Sequence, residues 1–222
     1  MRALSYDRDT AASLMLDQLS SFTDAARSFS EYDLLGSALV HGWSRLDVVV
    51  HVRAGLEEMN AVCAGRGDGT PTHDAASYWA DSDSDDDIDD PVPHILWMRR
   101  TASAYARPSS ALRHLCDVAG MSRLALSTLG DETVLFQGKT MAPGDFVATW
   151  VTELAVHQLD LGPAAGHPTA GALGVVRRTA EALADVDLPA EWDDESAALI
   201  ALGRRPLPAD GADLAGVLPL SL

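Results

Sequence analysis

Two residues in the second half of the chain have the types and spacing of metal ligands. Glu153 and His157 are four residues apart in a segment with a helical pattern. Residues at that spacing lie on one face of an α-helix, so a carboxylate and an imidazole can point at a single ion. His51 interrupts the apolar run 48–52 and offers a third ligand. Two histidines and one carboxylate form a common catalytic zinc set that leaves the fourth position open for water or substrate.

The helix predicted to carry this pair has polar groups where an ordinary core helix has apolar ones. One of its faces starts with aromatic residues and continues with polar ones, whereas a second face is apolar: the first is Phe146, Trp150, Glu153, His157 and Asp160, and the second is Val147, Val151, Leu154 and Leu161. Polar groups inside a bundle need partners. A metal ion would satisfy these groups together.

Two further carboxylates are spaced to orient the histidines. Asp47 lies one turn before His51, and Asp160 lies three residues after His157. A carboxylate that accepts from the non-ligating nitrogen of a histidine fixes the tautomer of the ring, and we predict that role for both aspartates. Asp47 also occupies the capping-box position after Ser44, which is a competing role.

The helix predicted around His51 contains a glycine one turn later. Gly55 costs about 1 kcal/mol there relative to alanine, so we expect that space is needed beside His51. Each ligand also has a structural interpretation. A Glu–His pair at this spacing is often a surface hydrogen bond, and a single histidine in an apolar helix is often a core residue. The residues alone leave both interpretations open.

The other histidines compete for a place in such a site. We interpret His73 and His94, which flank an acidic segment, and His167 as loop residues unsuited to a preorganised site, and His41 as structural. The sequence contains no Gly-rich phosphate loop, G-x-S-x-G elbow or H-E-x-x-H motif.

Composition narrows the class of protein. The chain has 222 residues, 47% of them hydrophobic, and a net charge of −17 at pH 7. This charge argues against nucleic acid and anionic membranes as partners, since both require basic surfaces. No stretch is apolar enough for a membrane span, and the start has no signal-peptide core, so we expect a cytoplasmic monomer or homodimer. Cys63 and Cys116 are expected to be buried hydrophobes.

The positions of apolar residues, caps and breakers predict an all-α fold. Helices are expected at 9–29, 44–63, 93–106, 110–119, 143–161, 170–185 and 193–202, with a short hairpin or irregular crossover within 122–141 and an extended tail from 203. We predict a four-helix bundle over 1–165 that binds metal, and a short, mainly helical C-terminal extension over 166–222 packed on it. The acidic run 81–90 is interpreted as a solvated loop, because a calcium loop would need a glycine turn.

Two segments carry a resemblance to a known family. Residues 42–51, GWSRLDVVVH, resemble the G-W-[ST]-x-x-D-[VL]-x-x-H segment of the mycothiol-dependent maleylpyruvate isomerase family, which belongs to the DinB-like metal-binding superfamily. Residues 153–161, ELAVHQLDL, resemble its second signature, E-x-x-x-H-x-x-D-[LI]. Residues 201–206 resemble a Gly-Arg stretch near the C-terminal end of these proteins. The resemblance spans about residues 8–206, although short segments carry it.

The resemblance implies a DinB-like bundle that binds a divalent metal, usually zinc, through His51, Glu153 and His157. Family members use the metal to activate the thiol of mycothiol. A zinc-bound thiol is deprotonated, and the thiolate can add to an alkene for cis–trans isomerisation or displace a leaving group in S-transfer. The segment after residue 170 is short and helical, unlike the α/β C-terminal domain of the characterised isomerases. That difference puts maleylpyruvate in doubt as the substrate.

The sequence therefore predicts a zinc-dependent enzyme that uses mycothiol and a small electrophilic substrate, as an S-transferase or isomerase. Arg53, Arg99 and Arg100 are the arginines available for an anionic substrate, and we favour Arg53 and Arg100. A non-catalytic metal-binding or ligand-binding module of the same fold is the alternative. The ligand set also suits non-haem iron, and the ligands alone do not identify the metal.

Overall fold

A computed structural model describes residues 1–65, 67–80 and 92–220 of the chain. Helices dominate these residues: α1 Arg8–Ser28, α2 Glu31–Leu34, α3 Arg45–Cys63, α4 Ser77–Ala80, α5 Val92–Ser103, α6 Pro108–Thr128, α7 Pro143–Asp160, α8 Ala170–Ala184 and α9 Asp194–Ala201. Two strands, β1 Val134–Phe136 and β2 Lys139–Met141, pair as an antiparallel hairpin, and 3₁₀ turns cover Pro163–Ala165 and Ala209–Leu214. The all-α prediction is confirmed.

The four long helices α1, α3, α6 and α7 form the bundle. Helix α1 packs along α7 and α3 packs along α6, while α1 with α6 and α3 with α7 complete the contacts. The predicted seam of α1 lies in the core, where Met15, Leu19, Phe22 and Ala26 are completely buried. Burial of a large apolar side chain contributes about 1.5–3 kcal/mol, so this seam holds α1 against its neighbours.

Helix α6 is longer than the sequence predicted, and it takes the fourth place in the bundle. The predicted helix 110–119 was expected to end at Gly120, but α6 continues to Thr128. Apart from the backbone of its own helix, no atom of the described residues lies within 4 Å of a β-carbon placed at Gly120, so this glycine lies on an open face. One exposed glycine costs about 1 kcal/mol, which the packing of α6 on α3 offsets. The predicted helix 93–106 is α5, which packs on α3 at the edge of the bundle.

A hairpin was one of two options predicted for residues 122–141, and the structure forms it in the second half of that segment. Gln137 and Gly138 form the turn with positive φ angles of 48° and 77°, which suit the tight turn of a two-residue hairpin. The hairpin brings the ring of Phe136 to 5.3 Å from that of Phe146 on α7. It therefore closes one end of the space between α3 and α7.

The C-terminal segment packs on the bundle. Helix α8 contacts α7 and α1, and its Val175 and Val176 are completely buried in the main core. The tail from 203 is less extended than predicted, because Ala209–Leu214 forms a 3₁₀ turn against α9 and Trp192. The predicted acidic loop 81–90 lies outside the described residues. Among the described helices, none has the length and apolar character needed to span a bilayer.

Candidate metal centre

Helix α3 begins with a capping box formed by Ser44 and Asp47, which defines the N-terminus of the helix. The hydroxyl of Ser44 accepts from the backbone N–H of Asp47 over 3.1 Å, and the carboxylate of Asp47 accepts from the backbone N–H of Ser44 over 2.8 Å. Such a cap satisfies two otherwise unpaired backbone donors. His51 follows one turn later, on the side of α3 that faces α7.

Three predicted ligand atoms converge between α3 and α7. Nε2 of His51 lies 2.9 Å from Oε1 of Glu153, and Nε2 of His157 lies 3.1 Å from the same oxygen. All three atoms are within 4.8 Å of one another. Their side chains keep 12–26% of their surface exposed, so the group is mostly buried but open on one side. This arrangement joins residues separated by about half of the sequence.

The carboxylate of Asp160 forms a hydrogen bond with Nδ1 of His157, the ring nitrogen that faces away from Glu153. Its Oδ2 lies 3.1 Å from Nδ1 of His157, and Arg204 donates to Oδ1 over 3.1 Å and to Oδ2 over 3.3 Å. Asp160 is completely buried. Burial opposes its ionisation, but His157 and then Arg204 outweigh that effect and lower the pKa of the Asp160 carboxyl. The carboxylate is therefore a charged acceptor, and it fixes the orientation of the His157 ring.

The electrostatics of Glu153 and His157 favour their charged forms. Burial opposes ionisation of Glu153, but His157 and His51 outweigh it and lower the pKa of the carboxyl. Burial also disfavours a charged His157, but Glu153 and Asp160 outweigh it and raise the pKa of the imidazole. Both nitrogens of His157 face a carboxylate, so the ring favours a proton on each.

The donor set fits a divalent metal of intermediate softness. A cation among the three atoms would take the place of the proton on Nε2 of His157, while Nδ1 would keep its proton for Asp160. Two imidazole nitrogens and one carboxylate oxygen suit zinc or iron better than magnesium or calcium, which prefer oxygen ligands.

A cleft of about 400 Å³ opens beside these three residues. Its lining is rich in aromatic rings and includes Val40, Trp43, Gly55, Glu58, Tyr78, Trp79, His94, Phe136, Gln137, Thr149, Trp150 and Arg204. The indole of Trp43 stacks on the rings of His94 and His157, with centroids 5.5 and 6.4 Å apart. Burial, followed by Glu153 and Glu58, raises the pKa of the Tyr78 hydroxyl, so it is a neutral group. A small molecule in the cleft would meet both the three predicted ligands and an aromatic surface.

The other residues predicted for the site lie in different places. Asp47 is used by the helix cap, and within the described structure it makes no hydrogen bond to His51. Arg53 pairs with Glu57 over 2.6 Å and does not line the cleft. Arg99 donates to the carbonyl of Gly42, and Arg100 is exposed on α5, so neither lines the cleft. The structure therefore does not bring these three arginines into the lining of the cleft beside His51.

Gly55 makes room for an aromatic ring rather than for a metal ligand. A β-carbon at Gly55 would lie 2.9 Å from Cζ3 and 3.0 Å from Cη2 of Trp150. Trp150 belongs to the predicted polar and aromatic stripe of α7, and its ring borders the cleft. The expectation of space at Gly55 therefore holds, but Trp150 fills that space.

His94 and Arg204 are among the cleft residues that the sequence analysis did not place in the site. His94 was interpreted as a loop residue, but it lies on the first turn of α5 with its ring 5.9 Å from that of His51. Burial, followed by His51 and His157, lowers the pKa of His94. Arg204 reaches Asp160 from the C-terminal segment. The Gly-Arg resemblance at 201–206 was a signal for Arg204, but nothing in the sequence indicated its partner.

Comparisons with known proteins concern the family and the fold of the chain. The family model described as the mycothiol maleylpyruvate isomerase N-terminal domain matches residues 16–162, a range that includes all three predicted ligands but not Arg204. A solved structure of the mycothiol-dependent maleylpyruvate isomerase is similar, with a TM-score of 0.57 and 14% identity over 79% of this chain and 70% of that chain. Identity this low shows a shared fold alone. No curated protein sequence matches the chain.

Proposed function

The chain belongs to the mycothiol maleylpyruvate isomerase N-terminal domain family, and we propose that it is a zinc-dependent enzyme that uses mycothiol as its thiol cosubstrate. The enzyme would add the thiol to a small electrophile, as a cis–trans isomerase does, or transfer it, as an S-transferase does. The observation that carries this proposal is the convergence of His51, Glu153 and His157 at the edge of the aromatic cleft.

The proposed roles follow from the contacts of each residue. His51 and His157 would offer their Nε2 atoms to the metal and Glu153 its Oε1. When bound, zinc would lower the pKa of a thiol at its open position and so make a thiolate available at neutral pH. Asp160 would keep the His157 ring in the tautomer that leaves Nε2 free. Arg204 would hold Asp160 in place and balance its buried charge.

The division of the chain is also a proposal. We infer that residues 1–165 form the metal-binding bundle and that residues 166–222 act as an extension of it. Supporting this, α8 contributes Val175 and Val176 to the main core. Arg204 of the extension binds a carboxylate next to a predicted ligand. A second, smaller apolar cluster around Trp192 joins α9 to the tail.

Metal analysis of the purified protein tests the site. We expect about one zinc per chain in the wild type, and a loss of at least about tenfold in zinc affinity for His51→Ala and for His157→Ala. His114→Ala is the matched control, because His114 contacts Glu57 and Tyr105 away from the cleft. Equal zinc content in all variants would contradict the proposed ligands.

Thiol transfer tests the enzymatic part of the proposal. Mycothiol and monochlorobimane are supplied to the zinc-loaded protein, to metal-free protein and to His157→Ala. Conjugation that needs both zinc and His157 would support the enzyme. Stoichiometric zinc without turnover of several electrophiles would instead identify a non-catalytic metal-binding module. A cis-alkene substrate converted to its trans isomer without net consumption of thiol would distinguish an isomerase from a transferase.

A further inference from the structure

The wall of the cleft away from the three predicted ligands is aromatic and uncharged. The rings of Tyr78 and Phe136 stack with centroids 5.5 Å apart, and the ring of Phe136 lies 5.7 Å from that of Trp150. The Tyr78 hydroxyl donates to the side-chain oxygen of Gln137 over 3.0 Å. Such a wall offers flat apolar surface with a few neutral polar groups, which is a good match for a planar ligand.

The cationic group of the cleft is already neutralised. Arg204 is the one arginine or lysine that lines the cleft in the described part of the chain. Its Nε and Nη2 donate to the buried carboxylate of Asp160, and its Nη1 donates to the carbonyl of Leu202 over 2.8 Å. All three nitrogens are therefore engaged by the protein. The charge of the guanidinium is thus balanced by a buried carboxylate, so a substrate carboxylate would meet an arginine that is already paired. Arg53 and Arg100 do not line the cleft.

A second carboxylate gives the cleft negative character. Glu58 lies on α3, two turns beyond His51, and lines the cleft without being one of the predicted ligands. Its charge, like that of Glu153, acts on Tyr78 across the cleft. Glu58 itself is exposed to solvent, but like charges still repel one another over the short distances inside a cleft. The two positive charges of a bound zinc would be balanced by Glu153 and a bound thiolate. An anionic substrate would therefore have to approach against Glu58 without an unpaired positive charge to offset the repulsion.

We propose that the cleft selects an uncharged, planar electrophile, an activated arene or alkene, and discriminates against substrates that carry a carboxylate. This inference rests on the proposed function, because it concerns the second substrate of the same site. Glu58 is the residue that sets the discrimination by charge. With an activated chloroarene, the thiol sulfur forms a bond to the ring carbon that carries the chlorine. Chloride then leaves with its bonding pair, and the thiol proton passes to solvent.

Two arenes of closely similar shape test the proposal with zinc-loaded protein and mycothiol. One is 4-chloro-3,5-dinitrobenzamide, which is neutral, and the other is 4-chloro-3,5-dinitrobenzoate, which carries one negative charge. Each enzymatic rate is divided by the rate of the same arene with free mycothiol, because the two differ in intrinsic reactivity. We expect the enhancement to be at least about tenfold larger for the neutral arene, the ratio that about 1.4 kcal/mol of repulsion would give. An equal or larger enhancement for the anion would overturn the proposal.

The same pair is titrated by tryptophan fluorescence, since Trp43, Trp79 and Trp150 line the cleft. This keeps the test decisive if neither arene is turned over, an outcome that would count against the proposed function. Tighter binding of the neutral arene would support the inference, whereas tighter binding of the anion, or no binding of either arene, would overturn it.

Variants of two neighbouring glutamates show whether Glu58 itself sets the preference for the neutral arene, or whether loss of any nearby negative charge has the same effect. Glu58→Gln is expected to shift the neutral-to-anionic ratio about three- to tenfold toward the anion. Glu57→Gln is the matched control, because Glu57 pairs with Arg53 and His114 outside the cleft. The ratio for that control should equal the wild-type ratio. A shift of the same size in both variants would mean that Glu58 does not set the selection.

Discussion

Nδ1 of His157 lies 3.1 Å from Oδ2 of Asp160, and the other side of the same ring turns Nε2 toward Glu153. A completely buried carboxylate thus orients a predicted metal ligand from behind. Because Arg204 holds that carboxylate, the C-terminal segment is connected to the centre of the bundle through two side chains.

Replacement of Asp160 should weaken metal binding while leaving the three predicted ligands in place. Asp160→Asn removes the charged acceptor that fixes the tautomer of His157, and loss of such a partner lowers metal affinity by about 10- to 100-fold. Competition with a chromogenic zinc chelator measures the affinity, and circular dichroism confirms that the variant is folded. An unchanged zinc affinity in a folded variant would show that Asp160 does not act through His157.

Replacement of Arg204 should destabilise the folded chain. Arg204→Gln leaves the carboxylate of Asp160 buried with one fewer charged partner, which costs about 2–4 kcal/mol in free energy of unfolding. Urea unfolding measures that loss. Arg205→Gln is the matched control, since Arg205 binds the Ser196 hydroxyl on the surface and should change stability by less than about 0.5 kcal/mol. Equal stabilities for the two variants would contradict a structural role for the Arg204–Asp160 pair.

Two glycines in helices should respond differently to replacement by alanine. Gly55→Ala places a methyl group about 3 Å from the Trp150 ring, and overpacking of about 1–3 kcal/mol should equal or exceed the helix-propensity gain of about 1 kcal/mol. Gly120→Ala gains the propensity without a clash, because no atom of the described residues beyond the backbone of its own helix lies within 4 Å of its β-carbon. Thermal unfolding should therefore show a higher Tm for Gly120→Ala than for wild type and no such gain for Gly55→Ala. The reverse order would refute the packing described at Gly55.

The two cysteines should differ in reactivity. Cys63 is buried, and burial raises the pKa of its thiol to about 11, whereas Cys116 is half-buried. Because the thiolate is the reactive form, a disulfide reagent at pH 8 should modify Cys116 at least about tenfold faster than Cys63. Raising the pH toward 11 should speed the slow phase. Cys116→Ser should remove the fast phase, and two fast phases in the wild type would contradict the burial of Cys63.

Local patterns were sufficient to predict the elements that carry the site. The capping box at Ser44 fixed the start of α3, and the four-residue spacing of Glu153 and His157 needed α7 alone. The end of α6 could not be predicted in the same way, because packing against α3 decides whether a helix continues through Gly120. Sequence rules consider only the helix-propensity cost of such a glycine. In the folded bundle, the burial of the opposite face of α6 offsets that cost.

Contacts between segments that are far apart in the chain could not be predicted from the sequence. Nothing near Arg204 indicates that it meets Asp160, 44 residues earlier. Likewise, Gly55 signals a close approach but not that Trp150 makes it. His94 was interpreted as a loop residue because it flanks the acidic segment, whereas it lies on the first turn of α5 with its ring stacked on Trp43. Each of these depends on how helices are placed in space, which their individual periodicities leave open.

Anomalous diffraction at the zinc edge from crystals of the zinc-loaded protein tests the central claim most directly. We predict one strong peak between α3 and α7, about 2.0–2.2 Å from Nε2 of His51, Nε2 of His157 and an oxygen of Glu153. The peak should be absent from crystals of folded His157→Ala. A peak at another group of residues, or no peak between α3 and α7 in zinc-loaded wild-type crystals, would contradict the proposed metal centre.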